Sequence, residues 1–302
     1  MKRTSRMSVL IVICIMISLF FLMTFVVFKQ EHQQEKIDQK VDYTYRDFAQ
    51  KNKNVKDGVI VLAYHRILKN NKTVDFAKKV SKNPQLQQYN VAQNEFIRQM
   101  KWLKKNNVSV WSTDELIKHS RENNIKGKHV VLTFDDIDTT LPRNAAQTMF
   151  NFSFPFTIFV ITGQAGRNLD GEQMATWSEI ARLAEHKEVT VGLHTNDLHY
   201  QVNNHPILSS GKLSKHTILE DYKKSQQKMK KEVSVNTHVF AYPYGSENKT
   251  LTEYMYLHGM NGIFLLEPGV VTNDMPDILK RIPRFIVTDS NFNQLGKWFN
   301  SR

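Results

Sequence analysis

Short apolar runs alternate with polar stretches along most of the chain. From Gly58 onward, eight runs rich in aliphatic and β-branched residues predict strands, at 58–64, 108–111, 130–134, 156–162, 189–193, 238–242, 262–266 and 284–288. Most of these runs are apolar at every position instead of at alternate positions. Because a strand that is buried on both faces needs apolar side chains on both, this pattern is typical of parallel sheets.

Helical patterns fill the intervals between the predicted strands. Three helix starts have the capping-box form, in which Ser or Thr precedes Glu by three residues: Ser112 with Glu115, Thr176 with Glu179, and Thr217 with Glu220. Strand and helix alternate to the end of the chain without a visible internal repeat. This alternation predicts an α/β fold with a parallel sheet, either a barrel or a doubly wound sheet.

The N-terminal run 7–28 contains no charged residue. As a helix it would be about 33 Å long, at about 1.5 Å per residue, and would cross a hydrocarbon layer of about 30 Å. Lys2, Arg3 and Arg6 precede it, so the positive-inside rule places residues 1–6 in the cytoplasm and the rest of the chain outside. We therefore predict a signal anchor that crosses the cell membrane once.

A cleaved signal peptide, followed by secretion, is the alternative interpretation of this run. Signal peptides have an apolar core of about 7–15 residues and a cleavage site with small residues, whereas this run is longer and no such site follows it. Residues 29–57 are polar, which predicts a stalk below a folded domain at 58–302. Two long polar loops, 66–92 and 196–216, follow strand ends and are candidates for substrate contact.

The composition of the exported part limits its disulfides, its metal ligands and its partners. Cys14, the only cysteine, lies in the apolar N-terminal run, so the domain has no disulfide and any metal in it would have His and carboxylate ligands. The chain has 41 Lys and Arg against 29 Asp and Glu, a net charge of +12. The basic residues are scattered and export removes nucleic acid as a partner. We therefore predict a solvated face near anionic wall polymers or lipid headgroups.

Polar side chains gather at the ends of the predicted strands. In barrels of parallel strands the chemistry lies at the carboxyl-terminal edge. Reading the positions at the strand ends yields two carboxylates, two histidines, a tyrosine beside a glycine, and an arginine: His65, Asp135, Asp136, His194, Tyr244 and Arg284. These residues are the candidates for a site.

The neighbouring carboxylates of Asp135 and Asp136 repel each other, so a nearby positive charge is expected. His194 and His199 bracket a turn elsewhere in the chain. One carboxylate and two imidazoles would hold a tetrahedral divalent ion with an open position for water, leaving the second aspartate as a base. An N-cap, a salt bridge and calcium are the alternatives for the pair, although calcium needs more oxygen ligands than this stretch supplies.

Six stretches resemble a known family, and they occur in the family's order: "AYHR" (63–66), "LTFDD" (132–136), "PFTIFVIT" (155–162), "LHTNDLH" (193–199), "AYPYG" (241–245) and "RIPRFIV" (281–287). The family is that of the polysaccharide deacetylases (carbohydrate esterase family four, NodB-homology type). The branch that these stretches resemble comprises the intercellular-adhesin poly-β-1,6-N-acetylglucosamine N-deacetylases of biofilm-forming bacteria. The resemblance implies a distorted (β/α) barrel of about seven to eight parallel strands, here behind an N-terminal transmembrane helix.

The resemblance also implies roles for the matching residues. Asp135 would be the general base, and Asp136, His194 and His199 would bind one divalent metal ion, zinc or alternatively nickel or cobalt. The backbone N–H of Tyr244 would help to hold the oxyanion.

Three departures from the family pattern modify these roles. Four residues separate His194 from His199, whereas the commonest family motif has three; the adhesin branch shares the longer spacing. Ala241 stands where the family usually has an arginine before Pro-Tyr-Gly, and Arg284 is our candidate for orienting the base. The late Leu-x-His motif that supplies the acid elsewhere is absent, so His65 is our candidate general acid, as in the adhesin branch.

The predicted activity is metal-dependent removal of acetyl groups from N-acetylglucosamine in an extracellular polysaccharide, by a monomer, with release of acetate. Trp177 would form part of a sugar-stacking groove, or else pack in a helix core. One alternative is a deacetylase of peptidoglycan or of chitin-like oligomers. Another is a non-catalytic surface protein that binds glycans, but such a protein would be expected to have lost the base or a metal ligand.

Overall fold

The computed structural model describes residues 13–25, 45–69, 89–169 and 171–301, and in these ranges eight parallel strands form one sheet. The strands are β1 (Gly58–Tyr64), β2 (Ser109–Trp111), β3 (Lys128–Phe134), β4 (Phe156–Val160), β5 (Val189–Leu193), β6 (Val239–Ala241), β7 (Gly262–Phe264) and β8 (Phe285–Ile286). Each of the eight apolar runs coincides with one of them, although β3 begins two residues before its run, so the predicted parallel α/β sheet is confirmed.

The strands are arranged in the order β7–β6–β5–β4–β3–β1–β8, with β2 paired to the first half of β3. Every one of these pairings is parallel. A further parallel bridge joins Phe264 in β7 to Ile282, just before β8, where the N–H of Leu265 lies 2.9 Å from the carbonyl oxygen of Ile282. The sheet is a curved half-barrel whose edges are linked at this bridge, which is consistent with the predicted distorted barrel.

Side chains of β1 alternate between two buried clusters. Val59 and Val61 belong to the smaller cluster with Phe159 and Phe264, whose rings lie 5.3 Å apart although their strands are not neighbours. This contact places the smaller cluster inside the curve of the sheet. The intervening positions, such as Ile60, belong to the larger cluster. Because burying one large aliphatic side chain contributes about 1.5–3 kcal/mol, both faces hold the strand in place.

Most helices of the described ranges pack against the larger cluster, whereas Leu116 and Ile117 of the helix Thr113–Arg121 belong to the smaller one. The helices of the domain are α1 (Phe48–Lys51), α2 (Gln93–Lys105), α3 (Thr113–Arg121), α4 (Ala146–Phe152), α5 (Trp177–Ala184), α6 (Lys215–Val233), α7 (Lys249–Leu257) and α8 (Phe292–Asn300). A π-helical turn at Leu141–Ala145 precedes α4, and 3-10 turns lie at Ile207–Ser209, Pro243–Gly245 and Ile278–Lys280.

Helix starts agree with the sequence at two of the three predicted capping boxes. The boxes that begin α3 and α5 are present, with the Glu side chain and the Ser or Thr side chain each accepting a backbone N–H. The box predicted at Thr217 and Glu220 is wrong, because α6 begins earlier. The hydroxyl of Ser214 accepts the N–H of Thr217 at 3.1 Å. A serine upstream has taken the N-cap position, which leaves Thr217 inside the first turn.

At the N-terminus, residues 13–25 form an α-helix whose side chains are exposed. Within the described ranges of the chain, helices with both the length and the apolar character needed to cross a membrane are absent. The predicted anchor 7–28 extends beyond this helix at both ends, and the predicted tip 1–6 lies outside the described residues.

The last part of the predicted stalk packs on the domain. Phe48 and Ala49 in α1 are buried, and the Phe48 ring meets the Phe285 ring of β8 edge-on at 5.0 Å. The Tyr45 ring lies 4.5 Å from the same phenylalanine. The folded unit therefore includes residues from Tyr45 onward, because aromatic contacts to a distant strand outweigh the polar composition of this segment.

Candidate metal centre and active site

The carboxyl-terminal edge of the sheet brings the predicted site residues together. His65 follows β1, Asp135 and Asp136 follow β3, and His194 follows β5. Tyr244 lies in the 3-10 turn that follows β6. Because the strands are parallel, all these chain segments leave the sheet at the same edge.

Two of these side chains and that of His199, on the loop after β5, form a compact group that would suit a metal ion. One ligand atom from each of Asp136, His194 and His199 lies within 4.8 Å of the other two. The Oδ1 atom of Asp136 is 3.4 Å from Nε2 of His194 and 3.1 Å from Nε2 of His199. The Nδ1 atom of His194 lies 2.7 Å from the carbonyl oxygen of Ala241. An N–H donated there leaves the Nε2 lone pair facing Asp136, as in a histidine that binds a metal.

The charge states of His194 and Asp136 fit a divalent cation, whereas burial would lower the pKa of His199 but Asp136 raises it, so a cation would compete with a proton for this imidazole. Burial lowers the pKa of His194 to about 4, so this imidazole is neutral near pH 7. Burial by itself would raise the pKa of Asp136, but His199 and His194 hold it well below its usual value. Oδ1 of Asp136 is buried and makes no hydrogen bond of good geometry within the described residues. A neutral imidazole and an ionised, incompletely satisfied carboxylate are the states in which these groups bind Zn²⁺.

The backbone is bent sharply at three of the strand ends. Asp136, Thr195 and Tyr244 have φ angles of 66°, 71° and 57°, in the left-handed region. For residues other than glycine this conformation costs about 1–3 kcal/mol, most of all for a β-branched side chain such as that of Thr195. Contacts elsewhere in the fold must offset this free energy. The three bends direct the site residues over the edge of the sheet.

Asp135 forms a buried ion pair with Arg284. The guanidinium donates from Nη1 to Oδ1 at 2.6 Å and from Nη2 to Oδ2 at 2.8 Å, and both side chains are almost fully buried. Arg284 also donates from Nε to the carbonyl oxygen of Leu265 at 2.7 Å. Burial would raise the pKa of Asp135, but the charge of Arg284 holds it below its usual value. The carboxylate is therefore ionised and fixed in orientation.

His65 faces this ion pair. Its Nε2 atom lies 3.9 Å from Oδ2 of Asp135, and its ring packs edge-on against Tyr89 with 4.9 Å between centroids. Burial lowers the pKa of His65, and the carboxylates of Asp135 and Asp136 partly oppose this change. The imidazole is thus close enough to exchange a proton with a group bound between it and Asp135.

Tyr244 lies beside His199 of the metal group. Its ring is 4.9 Å from that of His199. Gly245, the next residue, has φ 66°, and a Cβ atom there would lie 2.5 Å from the Leu266 side chain. The turn therefore requires glycine after Tyr244, which is the physical reason for the Pro-Tyr-Gly sequence at this position.

Trp177 is the first residue of α5, and it is half-buried. Its side chain packs against the larger core cluster. The sequence left two roles open for Trp177, and the structure shows the packing role. A role in a sugar-stacking groove stays a prediction.

An ion pair beside the site, Arg66 with Glu172, was not predicted. Burial raises the pKa of Glu172 to about 7; Arg66 opposes the rise, whereas Asp138 and Asp136 add to it. Arg66 stands next to His65 in the first of the family-like stretches, which is a signal that could have identified it. Glu172 lies in a short hairpin whose sequence carries no such signal.

The sheet is a half-barrel of parallel strands, and its strand ends hold the metal group and a buried Asp–Arg pair. This combination is typical of a hydrolase that activates water with a metal ion. The family model described as "Polysaccharide deacetylase" matches residues 122–263. The chain belongs to the polysaccharide deacetylase family, enzymes that hydrolyse amide bonds. The resemblance seen in the motifs is thereby confirmed.

Two similar proteins are named as deacetylases of the same polymer. A poly-beta-1,6-N-acetyl-D-glucosamine N-deacetylase of Staphylococcus aureus is 30% identical over 253 residues, 83% of this chain and 86% of the relative. The protein of the same name from Staphylococcus epidermidis is 30% identical over 245 residues, 80% of this chain and 83% of the relative. The solved structure of IcaB from Ammonifex degensii has a TM-score of 0.69 and 28% identity, and the match covers 80% of this chain and 97% of that one.

Proposed function

We propose that this protein is a metal-dependent N-deacetylase of poly-β-1,6-N-acetylglucosamine that releases acetate. The observation that carries the proposal is the compact group of Asp136, His194 and His199 beside the buried Asp135–Arg284 pair. The names and the coverage of the staphylococcal relatives support the choice of polymer.

Asp136, His194 and His199 would hold the metal ion, for which we propose zinc; nickel and cobalt suit the same ligands. A divalent ion supplies Lewis acidity there, polarising an amide carbonyl and making a nearby water more acidic. The remaining steps belong to side chains and backbone of this chain.

Asp135 accepts the proton of the attacking water in this proposal. Arg284 keeps its carboxylate ionised and holds both oxygens in place, so the acceptor does not have to reorient during the reaction. The backbone N–H of Tyr244 donates to the carbonyl oxygen as negative charge develops on it. A well-placed donor of this kind contributes roughly 3 kcal/mol to the transition state.

His65 donates a proton to the departing amine, which is a poor leaving group when unprotonated. We expect His65→Ala to retain its metal and to lose about 10²-fold in turnover on the N-acetylated polymer, the usual contribution of a general acid. The same variant should keep most of its activity on an activated acetate ester, because that leaving group departs without a proton. Parallel rate measurements on the two substrates test this role, and equal losses on both would show that His65 only supports the site.

We also propose that the catalytic domain lies outside the cell membrane, held by the apolar run 7–28 as a single-pass anchor. The basic residues before the run support this orientation, and an extracellular polymer as substrate agrees with it. Secretion after cleavage of the run would place the domain on the same side of the membrane.

The test of this function is acetate release from a panel of purified polymers. Poly-β-1,6-N-acetylglucosamine, peptidoglycan and chitin-like oligomers would be offered to the purified protein and to intact protoplasts that produce it. We expect release from the first polymer in both preparations. Preference for peptidoglycan or chitin would change the substrate, and no release from any polymer would exclude a deacetylase. Release by the purified protein but not by intact protoplasts would reverse the orientation.

A further inference from the structure

The turn between the two metal-binding histidines is held by groups outside the metal group. Thr195, Asn196 and Leu198 in this turn are buried, and Thr195 has a left-handed backbone. The turn contains neither proline nor glycine. Its conformation is therefore not imposed by the local sequence and needs contacts from elsewhere in the fold.

Asp221 supplies such contacts from α6. Its Oδ2 atom accepts the N–H of Asn196 at 2.9 Å, and its Oδ1 atom accepts the N–H of Asp197 at 2.8 Å. Asp221 as a whole is 8% exposed. Both of its oxygens thus bind consecutive N–H groups in the middle of the turn, and hydrogen bonds to a charged acceptor are about twice as strong as neutral ones.

The loop after β4 holds the other side of the same turn. The N–H of Thr162 donates to the carbonyl oxygen of Thr195 at 3.1 Å, and that of Gly163 donates to the carbonyl oxygen of Asn196 at 2.9 Å. A Cβ atom on Gly163 would collide with the Asn196 carbonyl and the Asp197 carboxylate. The turn is therefore clamped between this loop and Asp221.

The two histidines depend on this clamp unequally. His194 leaves β5 directly, and its Nδ1 atom is fixed by the Ala241 carbonyl oxygen. Nδ1 of His199 is buried without a hydrogen-bond partner in the described part of the chain. No hydrogen bond there orients its imidazole, so its placement relies on the backbone of the turn and on ring contacts.

We propose that Asp221 is a positioning residue for the metal site: it holds the 196–197 backbone so that His199 meets His194 and Asp136 at one point. The inference rests on the metal-dependent function proposed above. Groups that orient metal ligands from behind typically contribute about 10–100-fold to metal affinity, and Asp221 is expected to act in that range although it contacts no ligand side chain.

The test compares Zn²⁺ binding in Asp221→Asn and Glu220→Gln, measured by competition with a chromophoric chelator. Asn has the size of Asp, but its amide nitrogen would face one of the two N–H donors. Glu220 is the adjacent acid on α6 and pairs at the surface with Lys223 at 3.1 Å, so its variant removes the same charge without touching the turn. We expect a 10–100-fold weaker Zn²⁺ affinity for Asp221→Asn and less than a twofold change for Glu220→Gln.

Two further measurements separate positioning from a loss of folding. Chemical unfolding of the metal-free proteins in excess chelator reports stability alone, and Co²⁺ absorption spectra report the geometry of the ligands. A lower stability with unchanged Zn²⁺ affinity and an unchanged Co²⁺ spectrum would overturn the proposal. Should Asp221→Asn not fold, Asp221→Glu keeps the charge and displaces the oxygens; Zn²⁺ affinity equal to that of the parent would then overturn it. Parent protein that binds Zn²⁺ but releases no acetate would contradict the proposed function only.

Discussion

Replacing Asp136 with alanine is expected to remove the bound metal and the deacetylase activity together. His194→Ala and His199→Ala should behave in the same way, because each removes one of the three ligand atoms that lie within 4.8 Å of one another. Activity should fall by at least the roughly 10²–10³-fold that loss of one electrostatic contact to the transition state costs. Elemental analysis of the purified variants and acetate release at equal protein concentration measure the two effects.

A histidine remote from this group provides the control. His258 is exposed at the end of α7, just before β7 begins and thus at the opposite edge of the sheet, and His258→Ala should keep the metal content and activity of the unchanged protein. If the His194 or His199 variant retains stoichiometric metal and full activity, that residue is not a ligand.

Asp135→Asn should give a different result, because the proposed task of Asp135 is proton transfer. We expect the metal content to persist while turnover falls by at least about 10²-fold, the usual effect of losing a general base. The buried Arg284 would lose its charged partner, so the free energy of unfolding should also fall, by about 3 kcal/mol. Turnover is measured at saturating Zn²⁺ and well below the unfolding temperature, which keeps the two effects apart.

Metal content and rate together decide the role of Asp135. Near-normal turnover in the folded variant would remove it from proton transfer. Substantial loss of metal would instead make it a fourth protein ligand, next to Asp136 in the chain.

Local patterns were sufficient to predict most of the framework. Eight continuous apolar runs became eight strands, because a strand buried on both faces must be apolar throughout. The site residues after those strands were predictable for a related reason. Parallel strands end at one edge, so polar residues such as Asp136 and His194 that follow different strands must converge there.

Local patterns did not predict the start of α6 or the packing of the segment before Gly58. Ser214 and Thr217 both suit an N-cap, and the hydrogen bond from the Thr217 N–H to Ser214 in the folded helix decided between them. Similarly, the polar segment before Gly58 resembled a stalk, but Phe48 packs on Phe285 of β8. Aromatic packing against a distant strand leaves no trace in the local composition.

The sequence by itself thus determined the strands, two of the three capping boxes that it predicted, and the candidate site residues that converge at one edge of the sheet. The tertiary structure alone decided that Asp221 supports the turn before His199 and that Glu172 pairs with Arg66. Arg284 was already our candidate for orienting Asp135, and the structure shows how the two side chains, 149 residues apart, meet. Periodicity and capping act over a few residues and are legible in one chain. A buried ion pair or a carboxylate behind a turn depends instead on strand order and helix docking, which arise only when the distant parts of the chain pack together.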